Sequence, residues 1–147
     1  MGILKDRQER IQYSQAKCKH FTGIHQKVCR AGVNYHELFG VAPGCFAGLP
    51  CTASPNPRVL CEKIEHMTLA EAEDLENKHE ASANRLVACL SAAKDHAKSN
   101  GYGRGRGGFG SLPCPTGCGG TLQYSVASVN GHMHGRCTTP GCVNWME

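Results

Sequence analysis

Residues 112–145 read LPCPTGCGGTLQYSVASVNGHMHGRCTTPGCVNW, and this stretch decides the fold. Two tight cysteine pairs, Cys114/Cys118 and Cys137/Cys142, flank 18 other residues. A tight turn aims both thiolates of a pair the same way, so two such turns complete a four-sulfur tetrahedral shell, which suits zinc. The alternatives are two disulfides or four unrelated thiols. Paired spacing in a chain without a recognisable export signal favours a metal site with these four ligands.

The segment between the pairs predicts an out-and-back β-hairpin. Its arms are rich in residues that favour strands, and Asn130-Gly131 between them is a hairpin-turn signal. Glycines beside the cysteines supply the backbone freedom that metal-binding turns need. The C-terminal unit is therefore predicted to be a zinc ribbon covering residues 113–147.

The composition limits the size of any apolar core. The chain has 147 residues, of which 6% are aromatic, but it carries ten cysteines and eight histidines. Small domains often replace part of a core by bound metal. No apolar run approaches the ~18 residues of a membrane span, and the N-terminal apolar stretch is too short for a signal peptide. We therefore expect a cytoplasmic protein without a membrane segment.

A long helix is predicted in the middle of the chain. Thr68 and Glu71 have the spacing of a capping box, acidic residues crowd the first turns, and Asn100-Gly101 marks the end. We place the helix at 69–98, within an element covering residues 68–99. Its first half has few apolar residues and is expected to be solvated. Its second half carries an apolar seam that should pack on the N-terminal module or mediate self-association.

Residues 101–110, GYGRGRGGFG, contain six glycines, and no regular element is expected at that glycine content. They predict a flexible linker, placed at residues 100–112. Arginine, glycine and aromatic residues together are also typical of short RNA-binding segments, where Arg contacts phosphate and a ring stacks on a base. Both interpretations stay open, and Arg104 and Arg106 are candidates for nucleic-acid contacts.

Residues 1–67 form a Cys/His-rich module in which residues 3–16 are predicted to be a short amphipathic helix or, alternatively, a frayed tail. A second four-thiolate site is expected here, so that the chain would bind two Zn²⁺ ions. The preferred ligands are Cys18, Cys29, Cys51 and Cys61. The alternatives for any one position are Cys45, His20, His25 and His36. Cys89 lies on the apolar side of the long helix and is interpreted as a buried small hydrophobe.

Together these elements predict a small α+β zinc-binding protein. It would comprise an irregular Cys-rich N-terminal metal module, one long α-helix, a flexible Gly/Arg linker and a C-terminal β-hairpin zinc ribbon. The formal net charge is +4, but a four-thiolate zinc site carries about −2. Two such sites cancel the positive charge, so the overall charge alone does not favour nucleic acid as the partner.

The C-terminal unit resembles the zinc ribbons of bacterial type IA topoisomerases. The shared residues are Cys114, Pro115, Cys118, Gly119, Gly120, Leu122, Cys137, Pro140 and Cys142. They cover about 30 of the 147 residues. The resemblance implies the ribbon fold, and because such ribbons usually bind single-stranded DNA or another protein, it implies a partner of one of these kinds.

Most of the chain also resembles small cysteine-rich proteins of tailed bacteriophages. The shared stretches are CKHFTGIHQKVCRAGVNY (18–35), LPC before a later CEK, an acidic helix and the closing GRCTTPGCVNWME. This resemblance implies the cytoplasm of a host bacterium as the location, and it implies no activity. It also implies the second ligand set Cys18, Cys29, Cys51 and Cys61, with Cys45 outside it.

The motifs of catalytic zinc sites are absent from the sequence. It contains neither H-E-x-x-H nor the zinc-deaminase signature, and residues 111–146 include no Asp or Glu. We therefore expect a non-enzymatic accessory protein that binds single-stranded DNA or RNA through its ribbon. The alternative is a protein-interaction module that docks on a host enzyme or complex. The predicted contacts on the ribbon are Tyr124, His132, His134, Arg136 and Trp145, with a plain solvated strand face as the alternative for the two histidines.

Overall fold

The computed structural model describes residues 6–23, 26–40 and 48–146, apart from the side chain of Phe39. The chain divides into two compact units, Met1–Asn77 and Lys78–Glu147. Its elements are α1 (Arg7–Ala16), α2 (Tyr35–Phe39), a 3-10 turn (Pro50–Thr52), α3 (Leu69–Ser99), β1 (Gly108–Pro113), β2 (Thr121–Val126), β3 (Met133–Cys137) and β4 (Asn144–Met146). The small α+β class with one long helix is confirmed, and the predicted hairpin is extended to a four-stranded sheet.

The first helix, α1, begins at Arg7 and packs on the start of α3, and residues 3–5 of the predicted helix lie outside the described residues. Asp6 caps α1, because its carboxylate accepts a hydrogen bond from the Glu9 N–H at 2.8 Å. Ile11 is the buried residue of this helix. Arg10 Nε donates to Glu76 Oε1 at 2.6 Å, and Glu76 is buried. The prediction that the first half of the long helix is solvated is therefore wrong on this side.

The ends of α3 follow from local sequence. Thr68 Oγ1 accepts from the Glu71 N–H at 3.2 Å, and the Glu71 carboxylate accepts from the Thr68 N–H at 2.8 Å. At the other end Gly101 is left-handed, with φ 69°, and the Tyr102 N–H bonds to the Ala97 carbonyl at 2.9 Å. The capping box and the glycine stop are both confirmed. Among the described residues no helix is both long enough and apolar enough to cross a membrane, including α3 with its 31 residues.

The four strands form one antiparallel sheet in the order β1-β2-β3-β4. Its centre is the predicted hairpin, in which Leu122 pairs with Cys137 and Val126 pairs with Met133. Gly131 lies in the connection between these strands and has a left-handed φ of 78°. The hairpin is therefore confirmed, but a six-residue connection, 127–132, takes the place of a tight two-residue Asn-Gly turn.

The first strand corrects the predicted flexible linker. The predicted linker includes residues 108–112, but these residues belong to β1, which pairs with β2 along its whole length. The turn at 103–106 is also held in place, because the Gly105 N–H donates to the Ser128 carbonyl at 2.6 Å. The glycine-rich segment is thus a turn followed by a strand.

The core of the C-terminal unit lies between α3 and one face of the sheet, which we call the inner face. The helix contributes small buried residues spaced four apart, namely Cys89, Ala93 and Ala97. The sheet contributes Leu122, Tyr124, Val126 and Met133. The apolar seam of the helix therefore packs on the C-terminal sheet, a surface that the sequence did not predict for it.

Two aromatic rings of the inner face lie over glycines of neighbouring strands. Tyr124 is in register with Gly110 and Gly135, and Trp145 is in register with Gly135. A Cβ atom at Gly110 would lie 2.3 Å from the Tyr124 hydroxyl oxygen, and one at Gly135 would lie 2.1 Å from Cη2 of Trp145. Glycine is required at both positions because each ring approaches the backbone so closely.

We expect Gly135→Ala to lower the free energy of unfolding of the metal-loaded protein by about 1–3 kcal/mol, since the added methyl group overlaps the Trp145 ring. Gly103→Ala is the matched control, because a Cβ at Gly103 meets nothing within 4 Å. Urea denaturation followed by tryptophan fluorescence measures both variants, and the chain has one tryptophan. Equal stability of the two variants would contradict the packing described here.

Candidate metal centre and exposed sheet face

The two cysteine pairs meet at one end of the sheet. Cys114 and Cys118 lie in the connection between β1 and β2, Cys137 ends β3, and Cys142 lies in the connection to β4. These connections are neighbours because β2 pairs with β3 in antiparallel register. The four Sγ atoms all lie within 4.8 Å of one another. The predicted ligand set is therefore confirmed as a group that could hold a metal ion.

The sulfur separations fit a tetrahedral site. Cys118 Sγ lies 3.5 Å from Cys137 Sγ, and Cys114 Sγ lies 3.8 Å from Cys142 Sγ. Four zinc–sulfur bonds of about 2.3 Å would hold their sulfurs roughly 3.8 Å apart. The four side chains therefore fit a zinc ion with little movement.

Donor groups surround these sulfurs. The Thr139 N–H donates to Cys137 Sγ at 3.4 Å. The Thr116 hydroxyl oxygen lies 3.2 Å from Cys114 Sγ and 3.3 Å from Cys142 Sγ. Hydrogen bonds of this kind orient thiolate ligands and stabilise their charge. The turns thus provide the supporting groups as well as the ligands.

The thiols of the centre differ in how readily they lose a proton. Hydrogen bonds from the Thr139 and Thr116 hydroxyls lower the pKa of Cys118 to about 5. Although a hydrogen bond with Thr116 lowers the pKa of Cys142, burial and the neighbouring cysteines raise it to about 11. Negative charge therefore forms easily on one sulfur and with difficulty on another. A bound dication would offset the repulsion between neighbouring thiolates and favour the deprotonated form of all four cysteines.

A fifth cysteine contacts the centre from α3. Cys89 is 0% exposed, and its Sγ lies 3.8 Å from Cys114 Sγ. Burial and the hydrogen bond with Cys114 raise the pKa of Cys89 to about 12, so it stays a neutral thiol that can donate to Cys114. The predicted burial of Cys89 is confirmed. Its contact with the centre was missed, because 25 residues separate the two cysteines and no local spacing signals it.

The predicted N-terminal ligands are neighbours in one unit, but they are not drawn together as closely. Cys18 and Cys51 are buried with Tyr35, and Cys29 packs against them. Burial, followed by the charges of Cys18, Cys61 and Cys29, raises the pKa of Cys51 to about 11. Within the described part of the chain, only the C-terminal set has its sulfurs within 4.8 Å of one another.

The alternative N-terminal ligands divide into two kinds. His20 Nε2 lies 2.9 Å from Glu65 Oε2, so this ring nitrogen already has a partner. His36 is exposed on α2. His25 and Cys45 lie outside the described residues. The histidines that the structure describes thus give no reason to replace a cysteine.

The structure overturns part of the predicted nucleic-acid interface. Tyr124 is buried on the inner face, and its hydroxyl lies 2.7 Å from His96 Nδ1. Trp145 is on the same face, where it is partly buried against the core and its Nε1 is covered. The predicted stacking role of Tyr124 is wrong, because Tyr124 pairs with Gly135 and lies on the face opposite His134, which pairs with Ser125. The packing of Trp145 on the same inner face leaves less of its ring available than predicted.

The opposite side of the sheet, which we call the outer face, carries a different ring. Phe109 is 82% exposed and is in register with Ser125, which pairs with His134. Met146, paired with His134, is 77% exposed. These residues border a shallow depression of about 580 Å³ that is also lined by Gln123, Arg136 and Asn144. Phe109 was missed because its segment was interpreted as a linker.

The remaining predicted contacts are exposed. His134 and Arg136 lie on the outer face. His132 directly precedes β3, and its N–H donates to Asn130 Oδ1 at 3.0 Å. Arg104 and Arg106 lie in the turn that leads into β1. The structure thus leaves five of the seven predicted contacts accessible.

Comparison of the chain with protein-family models, with curated proteins and with solved structures gives no match. These comparisons identify neither a phage protein nor a topoisomerase ribbon. Both resemblances therefore stay expectations.

We expect Cys118→Ser to abolish metal binding at the C-terminal centre and to unfold the sheet, because metal binding and folding of so small a unit are coupled. Cys89→Ala should retain the metal and lower the free energy of unfolding by about 1 kcal/mol, as a buried side chain is shortened. Native alkylation mapped by mass spectrometry reports whether Cys137 and Cys142 are protected. Loss of the protection of Cys137 and Cys142 in Cys89→Ala would contradict this expectation, because it would show that metal binding requires Cys89.

Proposed function

We propose that the C-terminal unit is a zinc-stabilised module that binds single-stranded DNA or RNA on its outer face. The observation that carries the proposal is the character of that face. It combines an exposed ring, Phe109, with the planar donor Arg136 and with His134. No Asp or Glu occurs between residues 101 and 146, so no carboxylate of this segment repels a phosphate.

Zinc is proposed for the centre because all four ligands are thiols at tetrahedral separations. Four cysteines fill the coordination shell and leave no open position for a substrate or an activated water. Such a closed site supports a structural role. The centre would then fix the two connections from which the strands of the outer face extend.

Single strands are favoured over duplex because the exposed ring offers a stacking surface. In a duplex the bases already stack on one another, whereas an unpaired base can lie against Phe109. Met146, at the other edge of the sheet, offers an apolar contact beside it. Bases could thus contact the two edges of the outer face.

The phosphate backbone would contact basic groups on the outer face and in the turn that precedes β1. Arg136 lies on the outer face, and Arg104 and Arg106 lie in the turn before the strand of Phe109. These two arginines, with Lys94 and Lys98, also line a depression of about 430 Å³. With so few cations we expect micromolar affinity that weakens as salt rises.

We expect Phe109→Ala to weaken binding of a labelled single-stranded oligonucleotide roughly 5- to 160-fold, the equivalent of one lost base stack of about 1–3 kcal/mol. Fluorescence anisotropy at about 50 mM salt measures it, where phosphate contacts are least screened. The matched control is Val87→Ala, which shortens an exposed apolar side chain (65% exposed) on α3. This control should leave the affinity unchanged.

Two results would overturn the proposal. One is the absence of binding at about 100 µM zinc-loaded protein, well above the micromolar range expected from these contacts. The other is an equal effect of Phe109→Ala and Val87→Ala. The specific observation in favour of a protein partner is the exposed apolar pair Phe109 and Met146. Capture of a protein that depends on Phe109 and survives nuclease treatment would replace nucleic acid with a protein as the partner.

A further inference from the structure

The N-terminal unit brings together four free cysteines from separate parts of the chain. Cys18 follows α1, Cys29 precedes α2, Cys51 lies in the 3-10 turn, and Cys61 lies in a turn before α3. Short elements and loops connect them, and few apolar side chains are buried among the described residues of this unit. A unit of this kind needs a source of stability other than an apolar core.

Backbone hydrogen bonds join the segments that carry these cysteines. The Cys18 N–H donates to the Cys51 carbonyl at 3.1 Å. The Lys19 N–H donates to the Glu65 carbonyl at 2.8 Å, next to a β-bridge between Cys18 and His66. Cys18 is thus hydrogen-bonded directly to Cys51 and lies beside the segment that follows Cys61.

Side-chain packing adds the fourth cysteine. Cys18, Cys51 and Tyr35 form a buried cluster, against which Cys29 and Phe21 pack. Phe21 and Tyr35 make an edge-on contact with their ring centroids 6.0 Å apart. Cys29 therefore lies with the buried Cys18 and Cys51 in one cluster that includes two aromatic rings.

The turn after Cys29 repeats the turn after Cys114 in the C-terminal centre. The Gly32 N–H donates to the Cys29 carbonyl at 2.9 Å, and the Gly117 N–H donates to the Cys114 carbonyl at 3.4 Å. Both glycines are left-handed, with φ 76° and 72°. In addition, Val33 donates its N–H to Cys29 Sγ at 3.4 Å, as Thr139 does to Cys137 at the other centre.

We propose that Cys18, Cys29, Cys51 and Cys61 bind a second structural metal ion, a thiophilic dication such as zinc. Binding draws the four sulfurs to separations of roughly 3.8 Å and ties the loops of the N-terminal unit to one point. All four positions are filled by cysteine, so the site is closed like the C-terminal one. The site is independent of whatever the outer face binds.

The test uses the full chain and zinc as the probe. Elemental analysis of the protein, purified with zinc and freed of loosely bound metal, should give two ions per chain. Cys51→Ser and Cys118→Ser should each give one. Cys45→Ser is the matched control and should keep both. Titration with Co²⁺ should show thiolate-to-metal charge-transfer absorption up to two equivalents in the unchanged chain.

One ion in the unchanged chain, with none in Cys118→Ser, would overturn the proposal. Loss of an ion in Cys45→Ser would overturn the ligand set. Because Cys51→Ser could fail to fold, native alkylation of the unchanged chain provides a second measurement. Cys18, Cys29, Cys51 and Cys61 should resist alkylation with zinc bound and react together after a chelator removes it. Rapid reaction of any of the four in the loaded protein counts against its role as a ligand.

Discussion

The rest of the C-terminal unit depends on the close approach of four thiols, whose sulfur atoms lie within 4.8 Å of one another. As thiolates they repel, and the neighbouring cysteines contribute, after burial, to the raised pKa of Cys142. A dication converts the same crowding into cohesion. These sulfurs are held at one end of the sheet by the strand register, the threonine hydroxyls and the glycine turns. The strands extend from that end.

The helix α3 completes this arrangement from the other side. Its small side chains let it lie close against the inner face, and Cys89 reaches the ligand Cys114 from within that contact. The tyrosine hydroxyl bonded to His96 supplies a polar link in an otherwise apolar layer. Tyr124 is buried on the inner face and Trp145 is partly buried there. The outer face therefore carries mainly polar side chains, with Phe109 and Met146 at its edges.

The features that local sequence encodes were predictable. The cap at Thr68, the stop at Gly101, the chain reversal around Gly131 and the spacing of the C-terminal cysteines each act over a few residues, and the structure has all of them. The predictions that were wrong concern features that depend on pairing between distant segments. β1 exists because it pairs with β2, which local glycine content does not reveal. The side of Tyr124 follows from a register that alternation within one strand leaves undetermined.

The positions of Phe109 and Met146 have a consequence for regulation. Each lies on an edge strand, and each edge strand is continuous with a cysteine-bearing connection. Loss of the ion, which is expected to unfold the sheet, would therefore remove both edge residues from the outer face. On the proposed function, occupancy by metal and occupancy by nucleic acid are thermodynamically linked, and each raises the affinity for the other. The chain would then act as a conditional binder, whose engagement follows the supply of zinc in its surroundings.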